Sequence, residues 1–395
     1  MVVVSEFIDS GFAATAAGTR IRAVEKFFSQ KGWEVILLVP RDKASGRETS
    51  RDDGRVRRLT TYETRREQFQ SPAAAIGFLL SLREYVTSLR EFRPDIVIIS
   101  GYSPFLLVEP LIVAGLLGIP VVYDVLDSWI LMSQFHRGRI RNWLRRSVER
   151  FALSRGNLVA GVTSTQLNLL ERCYRLNPEK LVLAPRGTDL SQRSDARPSP
   201  DYDIIHLGPP REYYDNEGML DFVARLSSLR RSLRVLFLGI KEGPVKKRLE
   251  RDLAAHGLTG AVDLRPPVPL SEVSRWTHRA KSGLIALTKN PFYRAAVSTK
   301  AYDYVVAGIP ILFLGLSDSE QAEFVLKHGI GRVCETPESL AQQTDALLSD
   351  DKALREIRNN AEAAVSTLAW DQVLEPFYER VAALLGHRNE ERIQG

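Results

Sequence analysis

The sequence has few cysteines and no long uninterrupted apolar run. Its two cysteines, Cys173 and Cys334, are far apart and lack metal-ligand spacing, which argues against a disulfide scaffold and fits a reducing cytosol. The longest apolar run, residues 106–122, is interrupted by Glu109 and Pro110 and is shorter than the ~20 apolar residues that a spanning helix needs. We expect a buried helix there instead. The first residues carry no basic segment, so we expect no secretory signal.

The motifs of several enzyme classes are also missing. The six histidines are scattered without an H-E-x-x-H arrangement, and neither a G-x-S-x-G segment nor a P-loop occurs. Asp201-Tyr-Asp203 has the D-x-D spacing of one type of metal site, but it lies at the junction of a linker and a predicted strand. We therefore expect no metal and no cofactor. A nucleic-acid partner is not expected, because the sequence has no known binding module and no basic stretch interleaved with aromatic residues.

What the sequence does contain is an alternation of short apolar runs and helical patterns. Its 395 residues, 44% hydrophobic and 26% charged, favour two or three domains. The alternation predicts an α/β fold with doubly wound parallel sheets. A polar, proline-bearing stretch at 191–202 separates two series of strands. The predicted strands are 35–39, 96–100, 121–123 and 158–163 in the first series, and 204–207, 235–239, 283–287 and 311–314 in the second.

The segment from Lys300 to Pro310 holds the most chemical information. Its sequence is Lys300-Ala-Tyr-Asp303-Tyr-Val-Val-Ala-Gly308-Ile-Pro310, which predicts a helix of about two turns, a tight turn and then the buried strand at 311–314. In parallel α/β sheets such a helix begins at the ligand crevice. Its free amides and positive end suit a phosphate, and Asp303, one turn along, suits a sugar diol.

This segment resembles the nucleotide-sugar motif of retaining GT-B glycosyltransferases, Lys-x-x-Glu-Tyr-x-x-x-Gly-x-Pro, with Asp303 in place of the usual Glu. The stretch from Tyr293 to Lys300 resembles a family 4-like subgroup that acts on bacterial polysaccharides and glycolipids. Much of the family has another Glu eight residues earlier, and Ala295 stands there in this chain. The identity of the donor sugar therefore stays open.

The resemblance covers nearly the whole chain and implies the GT-B architecture, two Rossmann-like doubly wound domains that face each other across a cleft. The segment 185–189, Pro-Arg-Gly-Thr-Asp, is similar to the element that ends the first domain, and Trp370 begins a segment similar to the C-terminal helix that crosses back onto that domain. A surface helix anchored by Trp370 is the alternative. The implied division is an N-terminal acceptor-binding domain at 1–190, a linker at 191–202, a nucleotide-sugar-binding domain at 203–368 and the crossing helix at 369–386.

In the second domain, the resemblance assigns cations to the donor diphosphate. Arg211 and Lys300 are expected to act catalytically on the leaving diphosphate, because guanidinium and ammonium groups bind phosphate well. The family's usual second cation is replaced by Glu217, a loss that the cations of the stretch 289–300 offset. Asp303 is expected to bind the ribose. The other residues expected to contact the donor are Arg294, Ser298 and Thr299.

In the first domain, two segments are candidates for substrate contacts. The loop after the first strand ends in Gly18-Thr-Arg20 and opens a helix, so Gly18 and Arg20 are expected near the donor phosphates and the acceptor; a tight turn without a ligand is the alternative. Asp127, at the carboxyl end of a buried strand, resembles the Asp of the family's Arg-Asp-Leu-Trp element. We expect a catalytic contact of Asp127 with acceptor or donor sugar; a helix cap or structural hydrogen bond is the alternative.

Positive charge is concentrated in the first half of the chain. The net charge is +6, and residues 1–190 have 27 Lys and Arg against 20 Asp and Glu, whereas residues 191–395 have 27 against 28. The segment 136–151 fits a basic amphipathic helix at an anionic membrane surface or lipid-linked acceptor, and equally a core-facing helix with a solvated basic face. Its apolar residues at roughly helical spacing are Ile140, Trp143, Leu144, Val148 and Phe151, with Arg141, Arg145 and Arg146 on the other side.

Together these features predict a metal-independent, retaining glycosyltransferase of polysaccharide or glycolipid biosynthesis. It would transfer a sugar from a nucleoside-diphosphate donor, with UDP or GDP as the nucleotide, to a hydroxyl of a glycan, a lipid-linked acceptor or a small-molecule glycoside. We expect it in the cytoplasm, with peripheral contact to the inner face of the cell membrane. One rival is a nucleotide-sugar epimerase on the same fold, although no His/Glu pair points to an acid/base couple. The other is a non-catalytic nucleotide-sugar-binding protein, motivated by the missing Lys and Glu.

Overall fold

The computed structural model of the protein describes residues 1–5, 16–40, 56–59, 72–101, 104–133, 138–190, 199–211 and 214–394. Its contacts divide the chain into two compact units. The first consists of Met1–Arg186 and Val373–Gly395, and the second of Gly187–Gln372. Within the described ranges, no helix is long and apolar enough to cross a membrane.

The first unit is built on a seven-stranded parallel sheet in the order β3-β2-β1-β4-β5-β6-β7. Every residue of the central strands β1, β4, β5 and β6 is buried, as expected for strands covered on both faces. The strands are β1 Val2–Ser5, β2 Ile36–Pro40, β3 Val56–Leu59, β4 Val97–Ser100, β5 Val121–Val125, β6 Leu158–Gly161 and β7 Leu181–Leu183. The helices are α1 Ala16–Gln30, α2 Pro72–Phe92, α3 Pro104–Leu116, α4 Trp129–Met132, α5 Arg139–Arg155 and α6 Ser164–Tyr174.

The second unit repeats this scheme with a six-stranded parallel sheet in the order β10-β9-β8-β11-β12-β13. Two apolar clusters, one on each face of the sheet, form its core. The strands are β8 Tyr202–Leu207, β9 Val235–Leu238, β10 Val262–Arg265, β11 Ala280–Ala286, β12 Ile311–Leu314 and β13 Gly331–Cys334. The helices are α7 Asn216–Leu229, α8 Pro244–Ala255, α9 Leu270–Thr277, α10 Thr299–Ala307, α11 Glu320–Lys327, α12 Pro337–Leu348 and α13 Asp351–Thr367.

The predicted fold class is confirmed, because both series of strands form parallel, doubly wound sheets. The sequence analysis assumed β1 as the first strand without giving its range, and it did not predict β3, β7, β10 and β13, all four of which are edge strands. Both β10 and β13 are mostly half-buried. A strand that is partly exposed needs fewer apolar residues, so its signal in the sequence is weak.

The division between the units falls between Arg186 and Gly187, ahead of the predicted linker, whose residues 191–198 lie outside the described residues. Gly187 lies against Trp370, and a Cβ added to it would come within 2.7 Å of the indole ring. The next residue, Thr188, donates its N–H to the Leu368 carbonyl oxygen at 2.8 Å. A side chain at position 187 would therefore displace the tryptophan that begins the last helix.

The last helix, α14 Trp370–Gln394, belongs to the first unit from Val373 onward. Phe377 and Tyr378 meet the Phe28 ring edge to face, with centroids 5.9 and 5.5 Å away. Glu375 forms an ion pair with Lys31 at 2.7 Å. Aromatic pairs of this kind contribute about 0.5–1.5 kcal/mol each beyond the burial of their area, so they hold α14 against α1.

Candidate functional site

Helix α10 is fixed to the second sheet by the buried side chain of Tyr304. Its hydroxyl accepts a hydrogen bond from the Leu207 N–H at 3.3 Å and lies 3.2 Å from the carbonyl oxygens of Ile205 and Leu284, to one of which it donates. The ring packs on Gly283, where an added Cβ would come within 2.4 Å of it. Burial raises the pKa of Tyr304 well above its ordinary value, so the phenol stays protonated. These contacts set the first turn of α10 beside the carboxyl ends of β8 and β11.

Two glycines open space in front of this first turn. Gly208 and Gly239 follow β8 and β9 and have φ angles of +85° and +110°, which side chains rarely adopt. A Cβ added to Gly239 would lie 3.0 Å from the Gly208 Cα. A Cβ added to Gly208 would lie 3.8 Å from Cε and 3.9 Å from Nζ of Lys300. The Gly208 backbone therefore approaches the Lys300 ammonium with no side chain between them.

Lys300 is a buried cation that makes no ion pair with a described residue. Its side chain is 6% exposed, and Nζ donates to the Tyr214 hydroxyl and lies 3.7 Å from the centroid of the Tyr214 ring. The ion pairs between described residues do not include Lys300. Burial lowers the pKa of Lys300 to about 7; Asp303 opposes that shift and Arg211 adds to it. The ammonium would gain free energy from an anion placed beside it.

The side chains of His206 and Tyr214 lie next to Lys300. The fully buried His206 Nδ1 lies 3.2 Å from the Leu284 carbonyl oxygen, and its ring meets Tyr214 edge to face with centroids 5.5 Å apart. Burial, and secondarily Lys300, lowers the pKa of His206 well below its ordinary value. The imidazole is therefore neutral, its Nδ1–H donates to the carbonyl, and Nε2 has no partner among the described residues. The sequence analysis missed both residues; the one available signal was a histidine inside an apolar strand.

The first turn of α10 leaves backbone donors available. The N-cap residue Ser298 makes no side-chain cap, and its own N–H donates to Oε1 of the buried Gln321 at 2.8 Å. Ala301 N–H bonds the Ser298 carbonyl oxygen at 3.0 Å. The N–H groups of Thr299 and Lys300 have no hydrogen bond to another described residue. Unpaired amides at a helix N-terminus suit an anion.

The predicted donor residues fall into two groups. Asp303 is half-buried, and it and Arg211 both act electrostatically on Lys300, so these three charges lie together. Arg294 is exposed, and its Nε pairs with Asp318 at 2.8 Å. Glu217 lies in the first turn of α7, where a carboxylate stabilises the helix dipole. It brings no positive charge to the site.

In the first unit, Arg20 is part of a buried ion pair. Its Nη2 lies 2.8 Å from Oδ1 of Asp124, its Nε bonds both carboxylate oxygens, and Nη1 donates to the Pro185 carbonyl oxygen at 2.9 Å. Ser100 Oγ adds a hydrogen bond to Oδ2 at 3.2 Å. Arg20 and Asp124 are each 2% exposed. This arrangement favours a structural role for Arg20 over the predicted substrate contact. Gly18, two residues earlier, is also buried, and residues 11–15 of the predicted loop lie outside the described residues.

Asp127 is held at the carboxyl end of β5 by its neighbours. Ser128, and not Asp127, caps α4 by accepting the Ile130 N–H at 3.2 Å. The Asp127 carboxylate is half-buried, burial raises its pKa, and it has no partner among the described residues. The sequence alternative of a helix cap is therefore wrong, whereas the predicted substrate contact of Asp127 stays a prediction.

The segment after Asp127 is anchored by a buried carboxylate of α5. Glu149 accepts hydrogen bonds from Ser128 Oγ and the Trp129 N–H, each at 3.0 Å, and from the Tyr174 hydroxyl. Burial raises the pKa of Glu149 to about 7, although its hydrogen bonds oppose the shift. Arg145, also on α5, lies over the Trp129 ring with Cζ 4.2 Å from the centroid. Helix α5 therefore positions the backbone next to Asp127, a role that the sequence analysis did not predict.

The D-x-D segment is accounted for by ion pairs at the start of β8. Asp201 accepts from Nε of Arg279 at 2.6 Å, and Asp203 accepts from Nζ of Lys281 at 2.9 Å and from the Arg234 N–H at 3.1 Å. Each carboxylate thus has a cationic partner at the amino end of the sheet, away from Lys300. Among the described residues, no group of three His, Cys, Asp or Glu side chains is arranged to hold a metal ion.

Comparison with known families gives a match in the first unit. Residues 15–187 match the family model of the glycosyl transferase 4-like domain. No curated protein is a significant relative of the chain.

The fold as a whole is similar to those of several solved structures. Sucrose-phosphate synthase from Thermosynechococcus elongatus has a TM-score of 0.73 at 13% identity, with 98% of this chain and 99% of that chain covered. Anabaena HepE in complex with UDP has a TM-score of 0.73 at 14% identity, covering 97% and 99%. WaaG, a glycosyltransferase involved in lipopolysaccharide biosynthesis, has a TM-score of 0.66 at 15% identity, covering 96% and 98%. The chain therefore has the GT-B fold, and the match to the glycosyl transferase 4-like model falls almost entirely in its first unit.

Proposed function

We propose that the protein is a retaining glycosyltransferase that takes its sugar from a nucleoside-diphosphate donor. The observation that carries the proposal is the surroundings of Lys300: a buried ammonium that makes no ion pair with a described residue, beside free helix amides, with the bare Gly208 backbone facing it. A diphosphate is an anion of the right size to be bound by all three. The glycosyl transferase 4-like domain in the first unit supports the reaction class.

The choice of nucleotide rests on the donor site and on the structural neighbours. Asp303, one turn after Lys300, has a carboxylate that can accept hydrogen bonds from a ribose diol. Anabaena HepE has been crystallised in complex with UDP and with UDP-glucose. At 14% identity that likeness shows the fold alone. It nevertheless makes UDP the first donor nucleotide to test, and GDP is the second.

The proposed mechanism stabilises charge on the leaving group. As the bond between the anomeric carbon and the phosphate oxygen breaks, negative charge grows on the diphosphate, where Lys300, Arg211 and the first-turn amides of α10 stabilise it. The acceptor hydroxyl attacks the anomeric carbon from the same face, and its proton passes to the departing phosphate oxygen. The new glycosidic bond then keeps the original anomeric configuration. No step requires a metal ion, since the cations of the chain neutralise the diphosphate.

The acceptor is proposed to contact the first unit near Asp127, whose half-buried carboxylate has no other described partner. A hydroxyl of a glycan or of a lipid-linked glycan fits such a group, because a carboxylate accepts hydrogen bonds from sugar hydroxyls. Both cysteines are free thiols, Cys173 exposed and Cys334 buried. That state fits the proposed reducing compartment, the cytoplasm, where the enzyme would work at the inner face of the membrane.

A two-stage experiment tests the function. Thermal unfolding is first measured with UDP-glucose, GDP-mannose and UDP alone; a ligand at ~100 times its Kd adds roughly 2.7 kcal/mol of stability. Release of free nucleotide from the stabilising donor is then measured with and without sugar acceptors. Acceptor-dependent release supports a transferase. A changed sugar on an intact nucleotide would indicate an epimerase, and stabilisation without any turnover would indicate a binding protein.

A further inference from the structure

Helix α5 exposes a stripe of large apolar side chains. Ile140, Trp143, Leu144 and Phe151 are between 45% and 77% exposed. They lie at positions i, i+3, i+4 and i+11, which fall on one side of an α-helix. We call these four residues the α5 stripe. A stripe of this kind usually faces a core, so its exposure corrects the core-facing alternative of the sequence analysis.

The opposite side of α5 is the buried one. Glu149, Ala152 and Leu153 are its buried residues, and Glu149 makes the hydrogen bonds to Ser128 and Trp129 described above. The half-buried Arg145 also faces inward, over the Trp129 ring. The helix therefore needs no further partner to stay folded, and the stripe is free to contact something outside the chain.

Arginines flank the α5 stripe on both sides. Arg139, Arg146 and Arg150 lie along one edge by helical position, and Arg141 and Arg155 along the other. All five are exposed, and Arg155 Cζ lies 5.2 Å from the centroid of the Phe151 ring. Apolar and aromatic residues bordered by arginines are typical of helices that lie in the interface of an anionic bilayer.

We propose that the α5 stripe is a docking surface for an anionic phospholipid bilayer. The apolar side chains enter the headgroup and acyl boundary, Trp143 lies at the interface, and the flanking arginines contact lipid phosphates. A second copy of the chain fits the surface poorly. A two-fold contact would bring the arginine edges of both copies together, whereas an anionic bilayer complements them.

Docking through this face has a consequence for the acceptor, which rests on the proposed function. The stripe and the Asp127 segment lie on opposite sides of the same helix, because Glu149 holds that segment. One helix diameter is about 10 Å. Asp127 would then stand roughly that far above the lipid headgroups, within reach of a glycan linked to a membrane lipid.

Vesicle flotation of the full chain tests the docking surface. The test variant is Trp143→Glu, and the matched control is Leu326→Glu, which places the same charge at a 62% exposed leucine of the second unit. We expect the wild type and the control to float with vesicles of phosphatidylcholine and phosphatidylglycerol and not with phosphatidylcholine alone. Trp143→Glu should lower the partition coefficient at least roughly tenfold, because it places a charge in the buried apolar face.

Two further readouts separate this proposal from the proposed function. Thermal stabilisation by UDP-glucose should be equal in the wild type and in Trp143→Glu. If UDP-glucose does not bind at all, the flotation experiment still tests the docking surface. Raising the salt concentration should weaken flotation, because screening shortens the reach of the arginines. Wild-type protein that does not float with the anionic vesicles at low salt would overturn the proposal. So would a dimer in light scattering that Trp143→Glu dissociates, or an equal loss of flotation in the Leu326→Glu control.

Discussion

Each unit contains a buried cation, and the two differ in how completely they are paired. In the first unit, Arg20 makes a multidentate ion pair with Asp124 and donates to the Pro185 carbonyl oxygen. In the second, Lys300 has a neutral hydroxyl as its hydrogen-bond partner, and burial lowers its pKa to about 7. A buried charge is costly unless it is paired, so the first arrangement is complete within the fold and the second is not.

The difference is the one expected between a structural cation and a cation that binds a ligand, the role that we propose for Lys300. Both residues were predicted to contact substrate, Arg20 from a loop that opens a helix after the first strand and Lys300 from the nucleotide-sugar motif at the start of another helix. The carboxylate of Asp124 already occupies the place that a phosphate would take on Arg20. Lys300 has instead a facing glycine backbone and two free amides. Buried groups whose pKa is displaced from the ordinary value are candidates for function.

The largest effect on stability is expected from breaking the buried ion pair between Arg20 and Asp124. Asp124→Asn would leave the Arg20 guanidinium buried without its counter-charge and should lower the free energy of unfolding by ~3–5 kcal/mol. Urea denaturation followed by circular dichroism measures the change. Asp201→Asn is the control, because it removes one partner of a half-exposed ion pair and should cost at most about 1 kcal/mol. Equal losses in the two variants would show that the buried pair contributes no more than a surface pair.

Removing the charge of Lys300, the cation that makes no ion pair with a described residue, should not lower the free energy of unfolding. Lys300→Met keeps much of the side-chain volume and removes the buried charge, so the unliganded protein should be as stable as the wild type or more stable. Turnover should fall ~10²-fold, as when single electrostatic donors are removed from other active sites. Steady-state kinetics and urea denaturation measure the two effects. A large loss of stability at neutral pH would mean that Lys300 is a structural cation after all.

The same variant should change how stability depends on pH. The pKa of Lys300 is lowered from 10.5 to about 7 in the folded protein, so between these values the unfolded chain binds more protons. The contribution of Lys300 to the free energy of unfolding therefore rises with pH across that window and is most unfavourable below about 7. Lys300→Met should lack this rise in denaturation measured from pH 7 to 10. If the free energy of unfolding of Lys300→Met rises with pH as steeply as that of the wild type, the rise comes from another titratable group.

A smaller effect is expected at Asp303, the residue proposed to contact the ribose. Asp303→Asn keeps the shape of the side chain but loses the charge, and donor binding should weaken by ~1.5–3 kcal/mol. Isothermal titration calorimetry with UDP-glucose measures it. Asp318→Asn serves as the control, because that carboxylate is exposed and paired with Arg294. Unchanged affinity in a folded Asp303→Asn protein would remove Asp303 from the donor site.

The smallest effect is expected for Arg294, which was predicted to bind the donor. Its guanidinium is largely exposed and pairs with Asp318 on the surface, and such pairs contribute about 0–1 kcal/mol. Arg294→Ala should therefore change donor affinity and turnover by less than roughly fivefold in the same assays. A loss as large as that of Lys300→Met would show that Arg294 leaves Asp318 for the diphosphate when the donor binds.

Local patterns predicted the fold and the helix on which we propose the donor site. The apolar runs located the buried strands, and the Lys300 to Pro310 segment gave the helix and its αL glycine, Gly308, at φ +64°. The sequence could not reveal that Arg20 is paired, because Asp124 lies 104 residues away. Tyr214 and Glu149 were missed for the same reason: each gains its role from a partner distant in the chain. Periodicity found the α5 stripe but could not tell which side of the helix faces solvent.

Proton uptake on donor binding tests most directly whether Lys300 is the cation for the diphosphate. Calorimetric titration with UDP-glucose at pH 8 is repeated in buffers of different ionisation enthalpy; at that pH the diphosphate of this donor is fully ionised and its uracil imide is almost fully protonated. With a pKa of about 7, free Lys300 is mostly neutral at pH 8, and a bound diphosphate should raise that pKa and draw a proton onto Nζ. We predict uptake of most of one proton by the wild type and none by Lys300→Met. Binding without a buffer-dependent enthalpy, or with equal proton uptake in both proteins, would contradict the assignment.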